Sequence, residues 1–168
     1  AHPEPNRAPW YVLIVDDDPD VHTTTTFALR GTEVLGCPLF FMHADSAAQA
    51  RELLAEAPDL AVILLDVVME QEDSGLQLVH AIRNEFKMSD TRIILRTGQP
   101  GYAPEMDAIR DYDINDYKTK SELTRNKLFT TLTSAIRSYR QIRTINTSRR
   151  GLDMIVHATG ELLALSGI

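Results

Sequence analysis

The sequence predicts an α/β fold: a doubly wound, five-stranded parallel sheet covered on both faces by helices, followed by an extended C-terminal helix. Three observations carry this expectation. Apolar runs of strand length alternate with segments of helical period along most of the chain. The runs are continuous rather than alternating, as in strands buried on both sides. The helix boundaries also carry their own capping and stop signals.

The first unit is YVLIV (11–15) followed by PDVHTTTTFALRG, with Asp18 as helix N-cap and Pro19 in the first turn. LFFMH (39–43) precedes DSAAQARELLAEAP, where Asp45 or Ser46 caps the helix and Ala57-Pro58 stops it. LAVILL (60–65) precedes GLQLVHAIRNEF, and RIILRT (92–97) precedes APEMDAIRDY across the glycine- and proline-rich loop RTGQPGYAP. A weaker strand near Asn115–Thr119 leads into a long helix from Ser121. That helix keeps apolar spacing through Leu128, Leu132, Ile136, Tyr139, Ile142 and Ile145, longer than a sheet needs for cover. NTSRRG then predicts a break or a polar stretch near Asn146–Gly151, with another helix to about Leu165. The expected division is a tail at 1–9, one domain at 10–140 and a helical linker at 141–168 that opens a following output region. The end LLALSGI carries no closing signal, so the chain reads as part of a longer protein.

Composition bounds the function. The chain has 168 residues, 43% of them hydrophobic, enough for a core of its own. The longest nearly apolar run, Leu60–Met69, is interrupted by Asp66 and too short to cross a bilayer, so no membrane association and a cytoplasmic location are expected. Cys37 is the only cysteine and reads as a buried small hydrophobe. The net charge of −7 is uneven: Leu123–Leu152 holds seven basic residues and no acidic one. That acidic body and basic tail suggest a nucleic-acid binder only weakly, because Arg137, Arg140 and Arg143 at helical spacing read as a solvated face.

The chemistry lies where the strands end. In an open parallel sheet, ligands bind outside the carboxyl ends of the strands. There the first strand delivers Asp16 and Asp17, the third Asp66, the fourth Thr97 and the fifth Lys120. Carboxylates of this number suit a hard cation such as Mg²⁺ (or Mn²⁺), with one oxygen left to act on a phosphoryl group. Asp66, alone at the end of the most apolar strand, is the candidate nucleophile, and Lys120 with Thr97 would neutralise phosphoryl oxygens. Taken singly, each residue has an ordinary reading as a cap, a β-former or a surface lysine; their joint appearance favours function.

VLIVDDDPD, ILLDVVM, IILRTG and DINDYKTK resemble the CheY-like response-regulator receiver domain of two-component signalling, over roughly Trp10–Arg140. The resemblance implies a flavodoxin-like strand order of 2-1-3-4-5. It implies Mg²⁺ held by Asp16, Asp17, Asp66 and the backbone carbonyl of Val68, with Asp17 coordinating directly and Asp16 through water. It implies phosphorylation of Asp66 by a sensor histidine kinase or phosphotransfer protein, with Thr97 and Lys120 on the phosphoryl group. Tyr117 matches the family's aromatic switch residue, which would report the phosphorylated state at the surface of the fourth helix, fifth strand and fifth helix. Three departures stand out. The loop after Asp66 adds Glu70, Glu72 and Asp73 before Gly75, Gly98 replaces an alanine, and Ser121 replaces the proline that usually follows the lysine. RTGQPG, YDINDYKTKSELT and INTSRRGLDMIVHATGELL resemble receivers at the front of multidomain cyclic-di-GMP regulators of HD-GYP type.

Two other functions compete with the phosphoacceptor switch. A haloacid-dehalogenase-like phosphatase would also use a strand-end aspartate, but Val68 stands where its general acid belongs. A stand-alone relay or dimerisation module is the other, since exposed Ile142 and Ile145 would bury against a second copy in a homodimer through the C-terminal helix.

Overall fold

The computed structural model describes residues 7–56, 59–69, 71, 74–98, 106–120 and 124–166, with the side chains of 106–108 and 150–166 excepted. β1 (Trp10–Val15), α1 (Pro19–Ala28), β2 (Glu33–Val34), β3 (Cys37–Ala44), α2 (Ala47–Glu56) and β4 (Leu60–Asp66) form the first half. The second half is α3 (Ser74–His80), β5 (Arg92–Thr97), α4 (Met106–Asp111), β6 (Ile114–Thr119) and α5 (Arg125–Ser166); α3 continues into a wider π turn over Ala81–Glu85. The sheet order is β2-β3-β1-β4-β5-β6. Apart from β2 it is the expected parallel sheet, with the order reversing at β1.

The expected five strands are six. β2 is a two-residue strand antiparallel to β3, joined by Leu35 (φ 48°) and Gly36 (φ 78°). Two consecutive left-handed residues make the tight hairpin whose twist matches paired strands, and glycine takes that conformation without cost. The hairpin covers the otherwise open edge of β3. Trp10 ties it down, its indole N–H donating to the Val34 carbonyl at 2.8 Å. β3 itself is less buried than its apolar sequence predicts, and Cys37, at the hairpin, is half-buried rather than buried.

Two apolar layers flank the sheet. Leu13, Val15, Ile63, Leu65, Ile93 and Leu95 pack with Leu54, Leu78 and Ile82 on one face. Val12, Ile14, Val62, Leu64 and Ile94 pack with Leu29, Leu132, Ile136 and Tyr139 on the other. The caps follow the sequence: Asp18 accepts the Asp20 N–H at 2.9 Å, and Ser46 rather than Asp45 accepts the Gln49 N–H at 3.1 Å. α2 ends at Glu56, while Ala57 and Pro58 lie outside the described residues.

Of the two readings of NTSRRG, the polar stretch holds and the break does not occur. α5 runs unbroken for 42 residues through Asn146–Gly151, a length of about 63 Å at 1.5 Å per residue. A single glycine costs a helix only about 1 kcal/mol, which neighbouring helical turns absorb. The helix packs on the body through Leu128, Leu132, Ile136 and Tyr139, and the Tyr139 ring meets Trp10 edge-on. Arg143 then bonds Asp59 at 2.7 Å and the Tyr139 hydroxyl, and Asn146 reaches Asp90. These contacts extend past residue 140, so the body holds the helix to about Asn146. Ile145 is 52% exposed, whereas Ile142 is half-buried. No described helix is long and apolar enough to cross a membrane.

Candidate functional site

β1 and β4 lie side by side in parallel, which brings their C-terminal aspartates together. Carboxylate oxygens of Asp16, Asp17 and Asp66 lie within 4.8 Å of one another. Asp16 and Asp66 are buried and Asp17 is exposed. Lys120, just past β6, reaches back over the crevice. Its Nζ lies 3.1 and 3.0 Å from the two Asp16 oxygens and 3.1 Å from Asp66 Oδ2. A backbone amide also holds one oxygen of each carboxylate: Asp18 N–H donates to Asp16 Oδ1 at 2.9 Å, and Val68 N–H to Asp66 Oδ1 at 3.2 Å. Thr97 is buried at the end of β5, one residue beyond Arg96, the register partner of Asp66.

Burial and the charge of Asp16 push the Asp66 carboxyl up to about 6, against the opposing pull of Lys120 and the Val68 N–H. Burial pulls the Lys120 ammonium down, but its bonds to Asp16 and the charges of Asp16 and Asp66 outweigh it and leave Lys120 above its ordinary value. The result is a carboxylate that gives up its proton only near pH 6 and is ionised at neutral pH, beside a firmly charged amine.

Gly75, which follows the lengthened acidic loop after Asp66, has a steric role. A Cβ at this position would stand 2.4 Å from the Asp66 carbonyl oxygen and 2.7 Å from the Val67 Cα. The start of α3 therefore lies against the backbone at the end of β4, and the Gly75 N–H donates to the Val67 carbonyl at 3.1 Å. Sequence reasoning missed Arg96, although an arginine inside an apolar strand was a visible signal. It is 1% exposed on the far face of β5, its Nη1 donating to Thr25 Oγ1 at 3.0 Å. Burial lowers its pKa to about 10 despite the charges of Asp16 and Asp66, so it remains a cation behind the site.

Tyr117 packs its ring against the core, and its hydroxyl is buried without a hydrogen-bond partner among the described residues. Among the described residues, a Cβ at Gly98 would touch only Lys120 Cδ at 3.7 Å. Glu70, Glu72, Asp73 and Ser121 lie outside the described residues.

The model of the response regulator receiver domain matches residues 12–133. The chain belongs to the receiver family. A domain of unknown function, DUF3369, matches residues 132–168, the part of the receiver chain occupied by α5. The 3'3'-cGAMP-specific phosphodiesterase 2 of Vibrio cholerae serotype O1 is 43% identical over 157 residues, 94% of this chain and 30% of that protein. This receiver thus spans under a third of that relative's length. The signal receiver domain of an HD domain-containing protein from Pseudomonas fluorescens Pf-5 shares the fold with a TM-score of 0.68 at 22% identity, covering 86% of this chain and 98% of that one. The N-terminal domain of a response regulator/sensory box/GGDEF protein from Carboxydothermus hydrogenoformans does so at 0.65 and 23%, covering 78% and 97%.

Proposed function

We propose that this receiver is a phosphoacceptor switch in which Asp66 takes a phosphoryl group from a histidine kinase or phosphotransfer protein. The observation that carries the reading is the single crevice in which Lys120 touches both Asp16 and Asp66. An Asp66 oxygen attacks phosphorus as the bond to the donor's histidine nitrogen breaks, leaving an acyl phosphate on the carboxylate. Lys120 releases part of its hold on Asp66 and neutralises a phosphoryl oxygen, while the Thr97 hydroxyl donates to another. Asp16, Asp17, Asp66 and the Val68 carbonyl form a hard, oxygen-only donor set that fits Mg²⁺ or Mn²⁺. Such an ion, when bound, supplies charge neutralisation to the phosphoryl oxygens. Asp17, exposed at the mouth, would hold the ion directly, and Asp16, held by Lys120 and the Asp18 N–H, would hold it through water.

Drawing Thr97 toward the phosphoryl group opens space for a change at Tyr117, whose buried hydroxyl has no hydrogen-bond partner among the described residues. The altered face of α4, β6 and α5 then passes the signal along α5 to a C-terminal output region. The likeness to the Vibrio cholerae phosphodiesterase favours an output acting on cyclic dinucleotides. The receiver itself acts as a signalling domain rather than an enzyme. Val68 offers its N–H but no acid to Asp66, which disfavours a haloacid-dehalogenase-like phosphatase.

Acetyl phosphate with Mg²⁺ is expected to add one phosphoryl group, by intact mass, to the wild type and none to Asp66→Asn. Lys120→Met should slow the addition at least about a hundredfold, as loss of one charge-stabilising group does. Absence of phosphorylation with both acetyl phosphate and a cognate kinase would refute the reading.

A further inference from the structure

On the opposite wall of the Asp16 strand end, α1 and β3 bring two histidines together. His22 Nδ1 and His43 Nδ1 are 2.8 Å apart, and His22 Nε2 is 2.7 Å from the backbone carbonyl oxygen of Asp16. A carbonyl can only accept, so His22 Nε2 carries the proton. In neutral His22 the lone pair then sits on Nδ1 and points at His43. Partial loss of hydration at the ring, and then the proximity of His22, lower the His43 pKa, which favours the neutral ring. Both histidines line a cleft of about 710 Å³ that also presents Asp17, Asp45 and Gln49.

We propose that His22 and His43 form a binding site for a transition-metal ion of the zinc class, distinct from the oxygen-only cluster of Asp16, Asp17 and Asp66. This inference does not rest on the phosphoacceptor reading. A ligating histidine characteristically donates its second ring N–H to a carbonyl or carboxylate, which fixes the tautomer and aims the free nitrogen. His22 already makes that bond. His43 needs only to carry its proton on Nε2 instead of Nδ1, a tautomer change that releases no proton. Two nitrogens on a tetrahedral zinc at about 2.0 Å each lie about 3.3 Å apart, so the pair opens by about half an ångström. His43 is exposed and free to make that movement. The remaining positions fall to water. Imidazole selects zinc, nickel or copper over Mg²⁺, so the two sites sort ions by donor type.

The test titrates Zn²⁺ into the whole chain with Mg²⁺ in excess, reading heat and the imidazole ¹⁵N shifts of each histidine. The expected result is one equivalent bound, with the Nδ1 signals of His22 and His43 moving together. His43→Ala should weaken binding at least about tenfold, while Asp66→Asn leaves it unchanged. Unmoved His22 and His43 signals, undiminished affinity in His43→Ala, or loss of binding in Asp66→Asn would each overturn the site. Because the ¹⁵N shifts are read on the wild type, the result stands even if a variant is poorly folded, and failure of phosphorylation leaves it untouched.

Discussion

Replacing Asp66 by asparagine should stabilise the metal-free protein at alkaline pH. The side chain is 2% exposed, and burial together with Asp16 raises its pKa from 3.8 to about 6. The folded protein therefore binds this proton more tightly than the unfolded chain does. The stability that follows is fully present below about pH 4 and is lost as pH rises through about 6. A rise of about two pH units corresponds to ~3 kcal/mol. Asparagine resembles the neutral acid in shape and cannot ionise. In EDTA, Asp66→Asn is expected to exceed the wild type by up to ~3 kcal/mol at pH 8, with the difference shrinking to nothing near pH 4. Urea unfolding monitored by circular dichroism at several pH values measures it. A variant no more stable than the wild type at pH 8 would refute the reasoning. It would mean that the bonds from Lys120 and the Val68 N–H outweigh the cost of burying the charge.

Two further outcomes follow from the packing. Gly75→Ala forces a Cβ into backbone of the Asp66 strand at 2.4 Å, where no flexible side chain can yield, and should destabilise the protein by ~1–3 kcal/mol in the same unfolding assay while slowing phosphorylation. The exposed Ile145 on a helix that continues beyond the body is expected to support a twofold dimer. Sedimentation velocity should show dimer for the wild type and monomer for Ile145→Lys, and a monomeric wild type in both phosphorylation states would exclude it.

Much of this molecule was legible in one dimension because its strands are buried on both faces. LAVILL and RIILRT could hardly be anything but central strands, and their terminal Asp66 and Thr97 mark the sheet's carboxyl edge in the chain itself. The pairing of Lys120 with Asp16 and Asp66 could also be anticipated, since parallel order sends every strand end to one side. The hairpin strand β2 was less legible: two residues carry no periodicity, and only the Leu35-Gly36 turn announces it.

The rest depended on tertiary contacts. The unbroken course of α5 could not be read from NTSRRG, because local propensity there is weak and the preceding turns, clamped by Arg143 on Asp59 and Asn146 on Asp90, set the helix's direction. Nothing in the spacing of residues 22 and 43 puts two imidazoles in contact; the crossing of α1 over the end of β3 does. The same holds for Gly75, whose missing side chain matters only because α3 approaches the Asp66 backbone so closely. Sequence by itself determined the strand order's chemical edge and the identity of the charged groups there, because burial demands continuous apolar runs and leaves the polar residues at their ends. Only the folded structure decided which groups share a proton, a cation or a van der Waals boundary, because those depend on distances of a few ångströms between segments far apart in the chain.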